Sequence, residues 1–179
     1  MNKEEKVIPF DGNSISLLLD VAKHEYENEH NRTSVIDTKT SIALPIISAY
    51  FLALAQMNDY KTIFSVKISS YIDCIMPTLL FICYSASLIL ALLSVIDMVR
   101  VITTRAYNTI KPADLYDEDF LKFDSKVISI ELITLYIDAT VRNKGENDAR
   151  IPLYRNGWLL TTISIILFVV YIIIKNYIS

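Results

Sequence analysis

The densest run of chemically competent side chains in this 179-residue chain is His24-Glu25-Tyr26-Glu27-Asn28-Glu29-His30. A helical zinc-protease site needs two histidines four residues apart on one face, with a glutamate as base. Here the histidines are six apart and do not share a face. The glycines, Gly12, Gly145 and Gly157, are isolated and build neither a phosphate-binding loop nor a dinucleotide fingerprint. Cys74 and Cys83, nine apart on one helix, cannot bridge within the chain or supply a four-thiolate zinc site. With two histidines and no nucleophile–base pair, the reading is against an enzyme and against a metal or cofactor.

A second constellation is Glu29-x-x-Arg32-x-x-x-Ile36-Asp37-x-Lys39, which ends where an apolar run begins. Glu29 and Arg32 have the i, i+3 spacing of a helical pair, whereas Asp37 and Lys39 lie on different faces. Charges so near a hydrocarbon boundary need partners or water. They form either a salt-bridged juxtamembrane collar with a snorkelling lysine or a packing and gating collar in an assembly.

The elements that position these groups are membrane helices. From Cys74 to Ile96 twenty-three residues carry no charge. As a helix they extend roughly 34 Å, against an apolar bilayer core of about 30 Å. Thr40–Met57 and Asn156–Ile174 are similar runs. The expected fold is an all-α membrane protein. A polar segment at 1–39 precedes the first span (40–57), an outer connection (58–73) and the second span (74–98). A cytoplasmic helical segment (99–155), the third span (156–175) and a tail (176–179) follow. No segment outside the spans is large enough for a catalytic domain with its own core. The first forty residues show no early apolar signal region, so the first span is expected to be a retained anchor.

Lys23, Arg32, Lys39, Arg100, Arg105, Lys111, Arg142, Lys144, Arg150 and Arg155 fall on one side, against Lys61, Lys67 and Lys175 on the other. The bias puts the N-terminus in the cytoplasm and makes Trp158 and Tyr177 interface aromatics. Asn13 or Ser14 is the expected N-cap of a stalk helix that continues into the first span, with a kink at Pro45. A second cytoplasmic helix begins at Ser125, and Gly145 and Pro152 are expected to punctuate it before the third span.

The pattern Glu-x2-Arg-x3-Ile-Asp-x-Lys leading into an apolar helix resembles the small membrane effectors of bacterial anti-phage systems. So does Asn143-x3-Asn147-x2-Arg150-x3-Tyr154 leading into the last span. These are the transmembrane effectors of Pycsar, CBASS and Hailong-type nucleotidyltransferase operons, and SLATT-type modules. The resemblance implies a homo-oligomeric pore or membrane disruptor in the bacterial inner membrane, a tetramer by analogy. A nucleotide or oligonucleotide from an operon-partner nucleotidyltransferase would gate it.

Three helices cannot enclose a water-filled channel, so a pore needs several copies. Ser41, Ser48 and Gln56 share a stripe with Pro45 and Leu52 on the first span, which makes that helix the preferred pore wall. Thr78, Ser85, Ser87 and Ser94 on the second span, and Thr161, Thr162 and Ser164 on the third, read equally as helix–helix glue. No span carries an internal charge, which argues against an ion-coupled pump. Arg142, Lys144, Arg150 and Arg155 are candidate phosphate ligands, although bases beside a span also serve topology. Tyr107, Tyr116 and Tyr136 are candidates for base stacking. The competing function is a non-conducting adaptor whose amphipathic 14–37 stretch recruits a partner.

Overall fold

A computed structural model describes residues 12–57, 71–104, 109–110 and 124–178, and side chains from Ile75 to Asn176 within the second and third helices. Three helices account for nearly all of them: α1 (Gly12–Gln56), α2 (Tyr71–Thr103) and α3 (Ser125–Ile178). Among the described residues there is no strand. All three helices are long and apolar enough to cross a membrane. The protein is an all-helical, multi-pass membrane protein.

Asn13 and Ser14, the expected caps, lie inside α1, which is described from Gly12 onward. Helix α1 does run unbroken from the polar stretch through the first apolar run, with Pro45 inside it. The expected punctuation at Gly145 and Pro152 is overturned, because α3 passes through both. Gly145 is an exposed helical position with nothing within 4 Å of where a Cβ would stand. Pro152 faces outward and leaves only the carbonyl of the exposed Asp148 without its helical donor. Buried anchors on both sides of it, Arg150 and Gly157, hold the helix to its course. The connection at 58–70, Arg105, Tyr107, Lys111 and Tyr116 lie outside the described residues, as do the side chains of Cys74 and Tyr177.

The chain divides into two compact units, Met1–Val35 with Ala106–Asn147, and Ile36–Arg105 with Asp148–Ser179. In the second unit the buried positions of every helix recur at alternating steps of three and four. On α1 they are Ile36, Thr40, Ala43, Ile47 and Leu54; on α2, Leu80, Tyr84, Ser87, Ala91, Ser94, Met98 and Val101; on α3, Arg150, Gly157, Thr161, Ser164 and Tyr171. A repeat averaging 3.5 residues keeps one seam facing its neighbours and is the signature of left-handed coiled-coil packing. Ser87 touches Ser164, Ser94 touches Gly157 and Thr161, and Val101 touches Arg150, so α2 runs antiparallel to α3. Asp37 meets Arg150 and Tyr50 meets Ser164, so α1 and α3 run parallel.

This unit is inside-out by the standards of a soluble domain. Thr40, Ser87, Ser94, Arg150, Thr161 and Ser164 are buried. Ile42, Ile46, Ile82, Ile89, Ile166 and Ile173 are each more than half exposed. In water such a surface would be untenable, whereas lipid tails solvate it and polar groups turn inward to find partners. Small residues let the backbones approach. A Cβ on Gly157 would stand 2.8 Å from Met98 Cε, so the bare glycine is what admits the Met98 side chain.

In the first unit α1 and α3 also pack in parallel. Tyr26 and Tyr136 make an edge-to-face pair with centroids 5.5 Å apart, and Thr33 meets Asn147 farther along both helices.

Candidate functional site: a buried arginine and a polar seam

Among the described residues of the second unit one charged side chain is fully buried, that of Arg150, at 2% exposure. Its guanidinium ties three helices. From α3, Nε donates to the Val101 carbonyl at 2.8 Å. That oxygen is in the last turn of α2, where a carbonyl lacks its helical donor. Nη2 donates to Asp37 Oδ1 on α1. The Asp37 carboxylate keeps 30% exposure, so the pair is buried at its cationic end and open at its anionic end. An arginine suits this post because its planar fork addresses two acceptors at once.

Deeper in the same unit the hydroxyls form a closed network. Ser87 Oγ donates to the Ser164 carbonyl at 2.9 Å, and Ser164 Oγ donates to the Ser87 carbonyl at 2.7 Å. The Tyr50 hydroxyl lies 3.0 Å from Ser164 Oγ. One level away, Ser94 Oγ donates to the Gly157 carbonyl at 2.6 Å and lies 2.7 Å from Thr161 Oγ1. Tyr84 donates to the Leu54 carbonyl at 2.6 Å and packs with Leu80, Cys83 and Tyr171. Among the described residues no buried side-chain nitrogen or oxygen lacks a partner. The described polar side chains of this seam are therefore satisfied within the chain itself.

In the first unit, Asn147 is the organising residue. Its Nδ2 donates to the Glu29 carbonyl at 3.2 Å and to Glu29 Oε2 at 2.9 Å. Its Oδ1 accepts from Thr33 Oγ1 at 3.0 Å. Arg32 Nη1 donates to Glu29 Oε1 at 3.2 Å. The i, i+3 pairing of Glu29 with Arg32 is thus present, with Glu29 held from a second helix as well.

The two sequence patterns that carried the resemblance, Glu29 to Lys39 and Asn143 to Tyr154, prove to be the facing edges of α1 and α3. Glu29 meets Asn147 in one unit and Asp37 meets Arg150 in the other. The four collar candidates are divided: Glu29 and Arg32 are half-buried and paired, Asp37 is paired with Arg150, and Lys39 is exposed. The phosphate candidates are divided too: Arg142, Lys144 and Arg155 are exposed, while Arg150 is buried against internal acceptors. Ser41, Leu52 and Gln56 are exposed and Ser48 is half-buried, all beside the α1 seam rather than in it. Ser41 Oγ donates to its own helix at the Thr38 carbonyl, 2.9 Å away. Of the hydroxyls in the other spans, Ser87, Ser94, Thr161 and Ser164 join helices, whereas Thr162 back-bonds to the Trp158 carbonyl. Tyr136 is engaged with Tyr26.

Thr33, Thr40, Tyr50, Tyr84 and Asn147 were not singled out from the sequence as members of the seam. The signal was present: each falls on the alternating three-and-four spacing that also picks out Ile36, Ala43 and Ile47. Among the described residues no group of three His, Cys, Asp or Glu side chains converges as for a metal ion.

No family model, no curated protein and no solved structure matches this chain.

Proposed function

We propose that the chain is the protomer of a homo-oligomeric membrane channel or pore-forming effector of a bacterial antiviral system. A nucleotide or oligonucleotide made by a partner nucleotidyltransferase gates it. The protein sits in the inner membrane with its N-terminus in the cytoplasm, as the lysine and arginine bias favours. It carries out no catalysis of its own.

The observation that carries this reading is the segregation of polar residues. Ser87, Ser94, Thr161 and Ser164 of α2 and α3 are consumed between helices, whereas Ser41 and Gln56 of α1 are exposed and Ser48 half-buried on one stripe with Leu52. A polar stripe on the outside of an otherwise lipid-compatible bundle finds partners in a second copy or in water. Copies arranged with these stripes facing a common axis would line a narrow, partly hydrophobic passage. Exposed Arg155 in the second unit, and separately exposed Arg142 and Lys144 in the first, are the residues open to a phosphate ligand.

Planar-bilayer recording with the purified protein tests this. Discrete conductance, altered by a cyclic nucleotide or a short oligonucleotide and reduced in Ser48→Leu or Gln56→Leu, is the expected result. Silence under every ligand and voltage refutes it and favours the adaptor reading. What favours that second reading is an apolar face left open on the first unit, where Leu17 and Val141 are 65% and 64% exposed.

A further inference from the structure

In the first unit α1 spends apolar residues on two adjacent stripes. Ile15, Leu19 and Ala22 follow the seam toward α3. Leu18 and Val21, one residue earlier in each turn, are 51% and 52% exposed. A helix with one neighbour needs only the narrow seam, and a broader stripe needs a second neighbour. On α3, Ile137 and Val141 repeat the pattern at 49% and 64% exposure. These residues line a groove of about 320 Å3 between the two helices, with Glu25 on the α1 wall and Lys144 on the α3 wall. Among the described residues neither Glu25 nor Lys144 has an ion-pair partner.

We infer that this groove is a self-docking surface that takes the α1–α3 pair of a second copy of the chain. Helices α1 and α3 are parallel in this unit, and a two-fold axis along their common direction keeps them parallel across a contact between two copies. Each copy then sets its Leu18/Val21 wall against the Ile137/Val141 wall of the other. The acidic Glu25 edge comes to the basic Lys144 edge twice, once in each direction. The contact is self-complementary in shape class and in charge, as an isologous interface requires. A lipid surface is the weaker occupant. Between Gly12 and Val35, α1 carries Asp20, Glu25, Glu27 and Glu29 against Lys23 and Arg32, and this excess of acid is repelled by anionic headgroups. The inference shares with the channel reading the association of identical copies, but does not need conduction.

The test is cross-linking of the full chain in membranes, in a Cys74→Ser, Cys83→Ala background. Val21→Cys chains carrying one tag are co-expressed with Ile137→Cys chains carrying another and treated with a short bis-maleimide. A doubly tagged dimer is expected. It is expected to be lost when Asp20→Cys, on a different face of α1, replaces Val21→Cys. Lys144→Glu or Glu25→Lys alone should deplete the dimer, and the two charge reversals together should restore it. No doubly tagged product, as when the groove is covered by lipid or from within its own chain, overturns the inference. Equal yield at the Asp20 control, or failure of the double reversal to rescue, does so too. Conductance without the cross-link leaves the channel reading standing without this interface. The cross-link in a protein silent in bilayers leaves the interface standing without the channel.

Discussion

Removing one partner of the Arg150–Asp37 couple should cost most when the more exposed partner is removed. Asp37→Leu leaves a guanidinium that is 2% exposed with the Val101 carbonyl as its remaining acceptor. Breaking a buried pair so that a charge is stranded costs about 3–5 kcal/mol. The surviving carbonyl bond and the open carboxylate end place this site near the bottom of that range, at about 3 kcal/mol. In Arg150→Met the group that loses its buried partner is instead a carboxylate with 30% exposure, which water can reach. The flexible methionine refills much of the volume. What is lost is a charged hydrogen bond to the end of α2, worth about 1.5–3 kcal/mol, less what hydration of Asp37 recovers. The expected cost is about 1–2 kcal/mol. The double variant Asp37→Leu/Arg150→Met strands no charge but still leaves the Val101 carbonyl without its arginine donor, so it should cost about 1–2 kcal/mol, well short of the sum. The assay is reversible unfolding in mixed micelles by added SDS. It is followed by far-UV circular dichroism and by the fluorescence of Trp158, the chain's one tryptophan. If Asp37→Leu proved no more costly than Arg150→Met, or if the double variant equalled the sum of the singles, the reasoning from burial would be refuted.

Two further outcomes follow from the packing of α2 on α3. Gly157→Ala gains up to about 1 kcal/mol of helix propensity but must displace the Met98 methyl, so in the same unfolding assay it should be nearly neutral. Gly157→Leu should cost at least about 2 kcal/mol, with Met98→Ala recovering part of the loss. Ser87→Ala and Ser164→Ala should each cost about 0.6 kcal/mol, the usual worth of one hydrogen bond between membrane helices; a loss above about 2 kcal/mol for either would show that the exchange of hydroxyls and carbonyls is cooperative.

The division between what sequence and tertiary structure decide is sharp here. Charge-free runs too long for a soluble core helix required three membrane helices, because lipid offers no partner to a backbone outside a helix. The absence of Gly or Pro between Ser14 and Leu44 required one helix there, and α1 is that helix. The i, i+3 spacing of Glu29 and Arg32 was enough to pair them, since helical geometry alone brings those side chains together. Nothing local, however, distinguishes Arg150 from Arg142 or Arg155. All three look like bases beside a span. Only the arrival of Asp37 and the Val101 carbonyl from two other helices makes Arg150 the buried member. Likewise Ser164 and Thr162 are two residues apart and chemically alike. The rotation of α3 against α2 turns one hydroxyl into an interhelical bond and the other back on the Trp158 carbonyl of its own helix. Proline at position 152 reads as a helix end because its local cost is about 3 kcal/mol. The packing of Arg150 and Gly157 on either side offsets that cost, and long-range packing of this kind is invisible to any window of neighbouring residues.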